Sequence, residues 1–260
     1  MAEFPRVTVD PFVASSARMY DYYLGGKDNF AADRAAAARV VAIDPDIPRS
    51  AQANRRFLAR AAGYLAGAGI TQFIDLGSGI PTSPNVHETV RAVHPDARVV
   101  YVDNDPVVAV YNKALNAKCA GIAAVDADVR DPDAIAAHPA VRGTIDFTRP
   151  VGVLLVSVLH FFDETDAARI LDGVRSWLAP GSHLALSVGS AEGATAEEAQ
   201  AARDVYAGSG IRVVLRDPAT VRGYFDGYDL VDPGVVPVQR WRADEPRIHG
   251  TILAAVGRLP

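Results

Sequence analysis

The spacing of apolar positions changes near residue 70. Before it the chain reads as helical. "AADRAAAARVVAI" (31–43) is rich in helix formers and stops at Asp44-Pro45, because a proline disfavours the α conformation in the residue before it. "SAQANRRFLARAAGYLAGAG" resumes at Ser50, read here as an N-cap, and ends at Gly67 and Gly69. After residue 70 short apolar runs appear: "TQFIDLGSG", "ARVVYVDND", "GIAAVDADV", "PVGVLLVSVL" and "SHLALSV". Helical stretches separate them at 85–93, 106–118 and 165–178. Apolar runs buried on both faces and alternating with helices predict a mostly parallel sheet in an α/β fold. Thr195 and Glu198 have capping-box spacing, and Gly208 marks the end of that helix. "YDLVDPGVVPVQRW" and "HGTILAAVGRL" read as two further strands, close enough in sequence to form an antiparallel pair at the sheet edge.

Composition narrows the class. A chain of 260 residues with 49% hydrophobic content fills one large core or two small ones. The longest apolar runs, such as "VGVLLVSVL", are too short to span a bilayer, and "MAEFPRVTVD" has no basic segment followed by an apolar one. Cys119 is the one cysteine, so no intramolecular disulfide forms, which fits a reducing cytoplasm. A net charge of −5 argues against general phosphate binding, so no nucleic-acid partner and no membrane are expected.

The candidate chemistry centres on "IDLGSGIPTSPN" (74–85). A strand ends at Leu76, a glycine turn follows, and Ser83-Pro84 read as N-cap and first helical residue. Glycines here allow positive φ and close approach to a ligand, and ligands of open α/β sheets sit at this edge. A G-x-G turn alone fits a plain strand-to-helix connection equally well. Its continuation discriminates. The third glycine of a dinucleotide fingerprint is replaced by Thr82, and no G-K-[ST] follows for a P-loop. The next strand ends "YVDND", where Asp103 suits both hydroxyls of a ribose. The third ends "VDADVRD", where Asp128 suits an adenine amino group. Asp126 reads as a solvated strand-end charge.

This order is similar to that of the class I S-adenosylmethionine (SAM)-dependent methyltransferases. The closer resemblance is to an actinobacterial SAM-dependent methyltransferase family long catalogued as a domain of unknown function. It rests on "YDYYLGGKDNF", "ANRRF", "GSGIPTSPNVHE", "VYVDNDPV", "ADVRDP", "LLVSVLHF", "LAPGS" and "YFDGYDLVDPG", which span nearly the whole chain. Tyr23 stands where leucine is usual, and Tyr224 where phenylalanine is. The resemblance implies a class I methyltransferase Rossmann-like fold: a mostly parallel seven-stranded sheet with an antiparallel edge pair and an N-terminal helical cap. It implies a single domain over 1–260, with 1–69 as cap or lid and 70–260 as the SAM-binding α/β core. It further implies that Gly77, Ser78 and Gly79 face the methionine part of SAM. Asp75 orders its amino group or the loop, and Asp103 holds the ribose hydroxyls. Asn104 lies beside the adenine, Asp128 accepts from its amino group near the Val129 backbone, and Ser157 lies beneath the sulfonium.

Because SAM carries an activated methyl group, alignment and water exclusion are the main tasks, with a general base as an option. His160 is the candidate for chemistry: it takes a proton, binds substrate, or caps the strand end and orients a loop. Phe161 and Phe162 line an acceptor pocket or pack the next helix. His87 faces the cleft or solvent; His94, His138 and His249 read as surface or turn residues, and His183 opens a strand. No metal-ligand spacing is present. In "YDYYLGGKDNF", Tyr20, Tyr23 and Lys27 share a helical face, and Gly25-Gly26 let the chain bend. The block is either a lid, with Arg18, Tyr22 and Lys27 as donors to the SAM carboxylate or substrate, or a helix-packing element. Arg55 is a further candidate for the carboxylate. Residues 195–225 suit acceptor recognition, with Arg212, Arg216 and Tyr224 either contacting an anionic acceptor or lying on a solvated surface. The leading reading is a cytoplasmic SAM-dependent methyltransferase acting on a small molecule at O or N, with homo-oligomerisation open. The alternatives are a non-catalytic SAM-binding sensor and a nicotinamide oxidoreductase. Thr82 and the lack of a Tyr-x-x-x-Lys pair oppose the last.

Overall fold

The structure is a computed structural model that describes residues 9–116, 119–246, 248 and 252–260. Five parallel strands form its centre: β1 (Gln72–Leu76), β2 (Arg98–Asp103), β3 (Ile122–Asp126), β4 (Gly152–Val156) and β5 (His183–Gly189). Their spatial order is β3-β2-β1-β4-β5. The winding therefore reverses between β1 and β4, which opens a crevice at their carboxyl ends. Side chains alternate across the sheet. Ile74 and Leu76 enter a core with Ile135, Val141 and Ile170, which belong to helices α6 (Pro132–Ala137), α7 (Pro139–Thr144) and α8 (Glu164–Trp177). Phe73 packs on the other face with Phe57, Leu65 and Val90 from α3 (Ile47–Gly67) and α4 (Val86–Arg91).

The far edge differs in detail from the expected seven strands. Among the described residues the sheet has eight strands. The run 228–241 breaks into β6 (Asp229–Leu230) and β7 (Val236–Pro237), because Pro233 has no N–H for a ladder and Gly234 turns the chain at φ +79°. β8 (Ile252–Arg258) runs antiparallel between β5 and these pieces. His249 lies outside the described residues, as does Lys118 beyond the end of α5 (Pro106–Asn116).

Two helix starts also differ. Pro48 sits in the first turn of α3, where a missing N–H costs nothing, so the helix begins before Ser50, which is buried inside it. Asn85, not Ser83, caps α4: Glu88 folds back to accept from the Asn85 N–H (2.6 Å) and the Ser83 hydroxyl (2.9 Å). The helix α9 (Ala196–Ala207) carries the expected Thr195/Glu198 capping box. A short α10 (Pro218–Gly223) follows.

Helices α1 (Ser16–Tyr23) and α2 (Ala31–Ile43) lie off the sheet. Met19, Tyr23, Ala36, Ala37 and Val40 form a separate core with Ala51 of α3, flanked by Val205 and Tyr206 of α9. The "GGKDN" link between α1 and α2 is tied to itself. The buried Asp21 carboxylate accepts from the Asp28 N–H (2.9 Å) and the Asn29 amide (2.8 Å). Gly26 passes so close that a Cβ there would lie 2.0 Å from Asp21 Oδ1. The link is also tied outward, since the Tyr111 hydroxyl of α5 donates to Asp28.

Gly26→Ala is expected to lower the unfolding free energy by about 1–3 kcal/mol, the usual cost of forcing an atom into a filled site. Denaturant unfolding measures it, and an unchanged midpoint would mean that Asp21 moves aside freely.

Candidate active site

The glycine turn after β1 is pinned by the β2 strand. The Gly77 and Ser78 N–H groups donate to the Val102 carbonyl at 2.8 and 3.1 Å. Gly77 has φ +71°, and a Cβ on it would lie 2.4 Å from Val158 Cγ2, so only glycine fits. Gly79, at φ +64°, donates its N–H to Asp103 Oδ2 (2.8 Å), while Asp103 Oδ1 accepts from the Asp105 N–H (2.9 Å). One carboxylate thus joins the loops after β1 and β2 and keeps lone pairs for a ligand. Asn112 of α5 supports the turn from behind, donating to Ser78 Oγ (3.0 Å).

Both acids of this edge are buried and hold their protons tightly. Burial raises Asp103 to about 6, partly offset by the Asp105 and Gly79 N–H groups. Burial raises Asp75 to about 7, opposed by the Arg55 charge and reinforced by that of Asp103. The Asp75 carboxylate accepts no hydrogen bond from the described residues and lines the cavity. Asp126 is exposed, as read from the sequence. Asn104 and Val129 line the cavity. Asp128 does not: its carboxylate is drawn to Arg130 Nε (3.0 Å), which holds it below the usual carboxylate range, with Asn104 assisting.

A hydrogen-bond cluster that the sequence did not reveal lies at the end of β4, beside the glycine turn. Asn54 of α3 is almost fully buried. Its amide nitrogen donates to the Tyr20 hydroxyl and to Ser157 Oγ, both at 2.9 Å, and its oxygen accepts from Ser187 Oγ (2.6 Å). The Ser157 N–H donates to Ser187 Oγ (3.0 Å). This arrangement holds Ser157 at φ +59°, a left-handed conformation that a serine adopts at a cost.

The N-terminal cap closes the site with side chains other than those expected. Arg18, anticipated as a donor to the cofactor, is buried against Asp33 (2.8 Å) and lies 3.9 Å from Asp105. Lys27 is exposed, and Tyr22 packs edge-on against Tyr23; neither lines the cavity. Tyr22 points off the cavity side of α1 and Lys27 lies beyond the end of that helix, so Tyr20 and Tyr23 face inward instead. The Tyr23 hydroxyl meets that of Tyr206 on α9 at 3.0 Å, and the Ser15 hydroxyl donates to Asp105. Arg55 lines the cavity and is braced on the Thr82 and Pro84 carbonyls (3.2 Å to the latter).

His160 lies in a short 3-10 turn, Leu159–Phe161, just beyond β4. Its Nδ1 accepts from the Gly189 N–H (3.3 Å), and its carbonyl accepts from the Val214 N–H (2.7 Å). Burial, aided by the Arg216 charge, lowers the ring to about 4. Arg216 itself is buried, donating to Tyr224 Oη (2.8 Å) and the Phe162 carbonyl (2.7 Å) and pairing with Glu164 (2.7 Å). Arg216 and Tyr224 are therefore structural supports. Arg212 pairs with Asp163 at the surface (2.9 Å). His87 is buried and bonded to the Tyr101 hydroxyl (2.8 Å) rather than facing the cleft.

All these walls bound one cavity of about 740 Å³, running from the glycine turn to the space between the cap and α9. That is within the roughly 300–1,000 Å³ of small-molecule sites. Among the described residues no group of three or more His, Cys, Asp or Glu could hold a metal ion, and no helix is long and apolar enough to cross a membrane.

Known proteins agree with this architecture. The family described as S-adenosyl methyltransferase matches residues 3–259, and the chain belongs to it. A Thermobifida fusca protein assigned as a methyltransferase is 40% identical over 99% of both chains, with a TM-score of 0.91. A DUF574 family protein from Streptomyces avermitilis is 39% identical over 98% of this chain and 100% of its own, with a TM-score of 0.92. The N-methyltransferase NodS from Bradyrhizobium japonicum, 14% identical over 80% of this chain and 97% of its own, shares the fold at a TM-score of 0.50. No curated protein matches. The chain is a SAM-dependent methyltransferase. Its residues fit the cofactor: a buried carboxylate with no hydrogen-bond donor among the described residues suits an ammonium group, and a second with spare lone pairs suits two hydroxyls.

Asn54→Leu strands the Ser157 and Ser187 hydroxyls. It is expected to lower the unfolding free energy by about 1–3 kcal/mol and to weaken binding of S-adenosylhomocysteine, measured by thermal unfolding and calorimetry. A wild-type value in both would mean that water replaces the amide.

Proposed function

We propose that the acceptor is a small molecule, methylated at oxygen or nitrogen, in the half of the cavity bounded by Tyr20, Tyr23, Tyr206, Phe161 and Phe162. The observation that carries this reading is the continuity of that half with the cofactor residues inside one cavity that the cap closes over. SAM supplies an electrophilic methyl group, and the chain supplies placement. In this reading Gly77, Ser78 and Gly79 cradle the methionine part with Asp75 at its ammonium and Arg55 at its carboxylate. Asp103 binds the ribose hydroxyls. Asn104, Val129 and Asp128, once turned from Arg130, bind the adenine. Ser157 supports the reacting centre. Arg18 acts through the fold by bracing Asp33, while Tyr22 and Lys27 belong to the outer surface of the cap. Closure of the cap excludes water and fixes the line of attack. Residues 1–69 and 70–260 work as one domain in the cytoplasm, without nucleic acid.

The raised acids set a pH signature. In the ligand-free protein Asp75 and Asp103 stay protonated to about 7 and about 6, whereas the unfolded chain ionises them near 4. Between those values the unfolded state binds fewer protons, so their contribution to stability is full at low pH and lost as pH rises through 6–7. A ligand that donates to the carboxylates favours their charged form, so its binding releases protons. The affinity for SAM is expected to rise from pH 5.5 to 7.5 by up to about tenfold per pH unit for each acid still protonated, and then level off. Calorimetry in buffers of different ionisation enthalpy tests this. Asp75→Asn is expected to flatten the rise and Asp103→Ala to abolish micromolar binding. A pH-independent affinity in the wild type would sink the assignment of both acids.

A further inference from the structure

The hydrogen bonding of His160 restricts the acceptor. A backbone N–H can only donate, so the Gly189 N–H fixes Nδ1 as an acceptor and places the ring's proton on Nε2. His160 lines the cavity, and its Nε2 has no protein partner among the described residues. Burial, with the Arg216 charge, opposes a second proton on the ring. Other charges near the turn are committed: Glu164 to Arg216, and Asp163 to Arg212. The buried acids Asp75 and Asp103 stand on the glycine-turn side of the cavity. His160 therefore presents a hydrogen-bond donor from a ring that burial keeps neutral. It is built to hold negative charge on an oxygen, not to remove a proton.

We infer that the acceptor is an acidic aromatic or enolic hydroxyl, bound and methylated as its oxyanion, with His160 Nε2–H donating to that oxygen. The inference rests on the methyl-transfer reading of the cavity given above. An oxyanion keeps further lone pairs after accepting one hydrogen bond, whereas a neutral amine has one lone pair and a donor would block it. The same cavity is lined by Tyr20, Tyr23, Phe161, Phe162 and Tyr206, whose apolar faces suit a planar molecule. The His160 and Phe161 rings meet at a tilt of 59° with centroids 4.3 Å apart, extending that aromatic wall. In the reaction the proton leaves to solvent before binding. One oxygen lone pair forms the O–C bond, the C–S bond breaks, and its electron pair returns to sulfur. A negative and a positive charge disappear together, which a cavity of low dielectric favours.

The test uses 4-nitrophenol, whose anion absorbs where its neutral form does not, titrated against the protein saturated with S-adenosylhomocysteine. Cofactor binding is checked separately by calorimetry. The bound probe is expected to ionise at lower pH than the free probe, with a preference for the anion of roughly tenfold or more, the strength of one charge-assisted hydrogen bond. His160→Gln, which retains an N–H donor, is expected to keep most of the shift, and His160→Ala to lose it. With SAM in place of the product, 4-nitroanisole forms. An absent or reversed shift, or a failure of the probe to bind while S-adenosylhomocysteine binds normally, overturns the oxyanion assignment alone. Loss of the shift in His160→Gln as complete as in His160→Ala overturns the donor role. If S-adenosylhomocysteine itself does not bind the wild type, the methyl-transfer reading of the cavity falls and this inference falls with it.

Discussion

The side-chain amide of Asn54 joins parts of the protein that the backbone ladder leaves separate. Through it α1 is bonded to α3 at Tyr20, and α3 to the ends of β4 and β5 at Ser157 and Ser187. Each bond contributes only about 0.5–1.5 kcal/mol net. Their common centre matters more than their sum. A buried amide with several partners has one satisfactory orientation, and losing one partner leaves the rest misdirected. Ser157 can therefore hold a left-handed backbone at the crevice, and the cap that closes over the crevice is registered to the strand ends it must cover.

The acidic wall works by leaving a demand unmet. Asp75 is buried with no donor among the described residues, and Asp103 spends its bonds joining two loops. Such carboxylates destabilise the ligand-free protein near neutral pH and become satisfied when a ligand brings donors. The Asn54 side of the cavity is the reverse, with every polar atom of the cluster paired within the protein. Rigidity on one side and unsatisfied charge on the other give a site that is shaped before a ligand arrives and electrically complete only afterwards.

What the sequence disclosed was local. A strand ending in Gly77-x-Gly79, the acids at successive strand ends, and the Thr195/Glu198 cap depend on neighbours a few residues away, and they appear in the structure as read. The Asn54 cluster was illegible because its partners lie 34, 103 and 133 residues off. "ANRRF" drew attention to its arginines, yet the asparagine before them holds the site together. Arg18 and Lys27 lie elsewhere than the sequence suggests, for the complementary reason. A positive charge near a glycine turn suggests a ligand, but Asp33 takes Arg18 through a fold-level contact, and α1 ends at Tyr23, so Lys27 falls in the exposed link that follows it. Asp128 shows a third limit, since its identity was readable and its orientation toward Arg130 was not.

Tyr23 and Tyr224 each use a hydroxyl in a side-chain contact away from the glycine turn. The Tyr23 hydroxyl meets that of Tyr206, and the Tyr224 hydroxyl accepts from Arg216. Neither touches the glycine turn or the strand-end acids. The cofactor half is fixed by backbone conformation and by carboxylates rooted in the sheet, so a change there disturbs the core. The half proposed to hold the acceptor is lined by side chains from the cap, α9 and the segment before α10, which pack on one another in a core separate from those of the sheet. Exchanges there alter the shape and polarity offered to an acceptor while leaving the sheet intact, which is how one scaffold serves different acceptors.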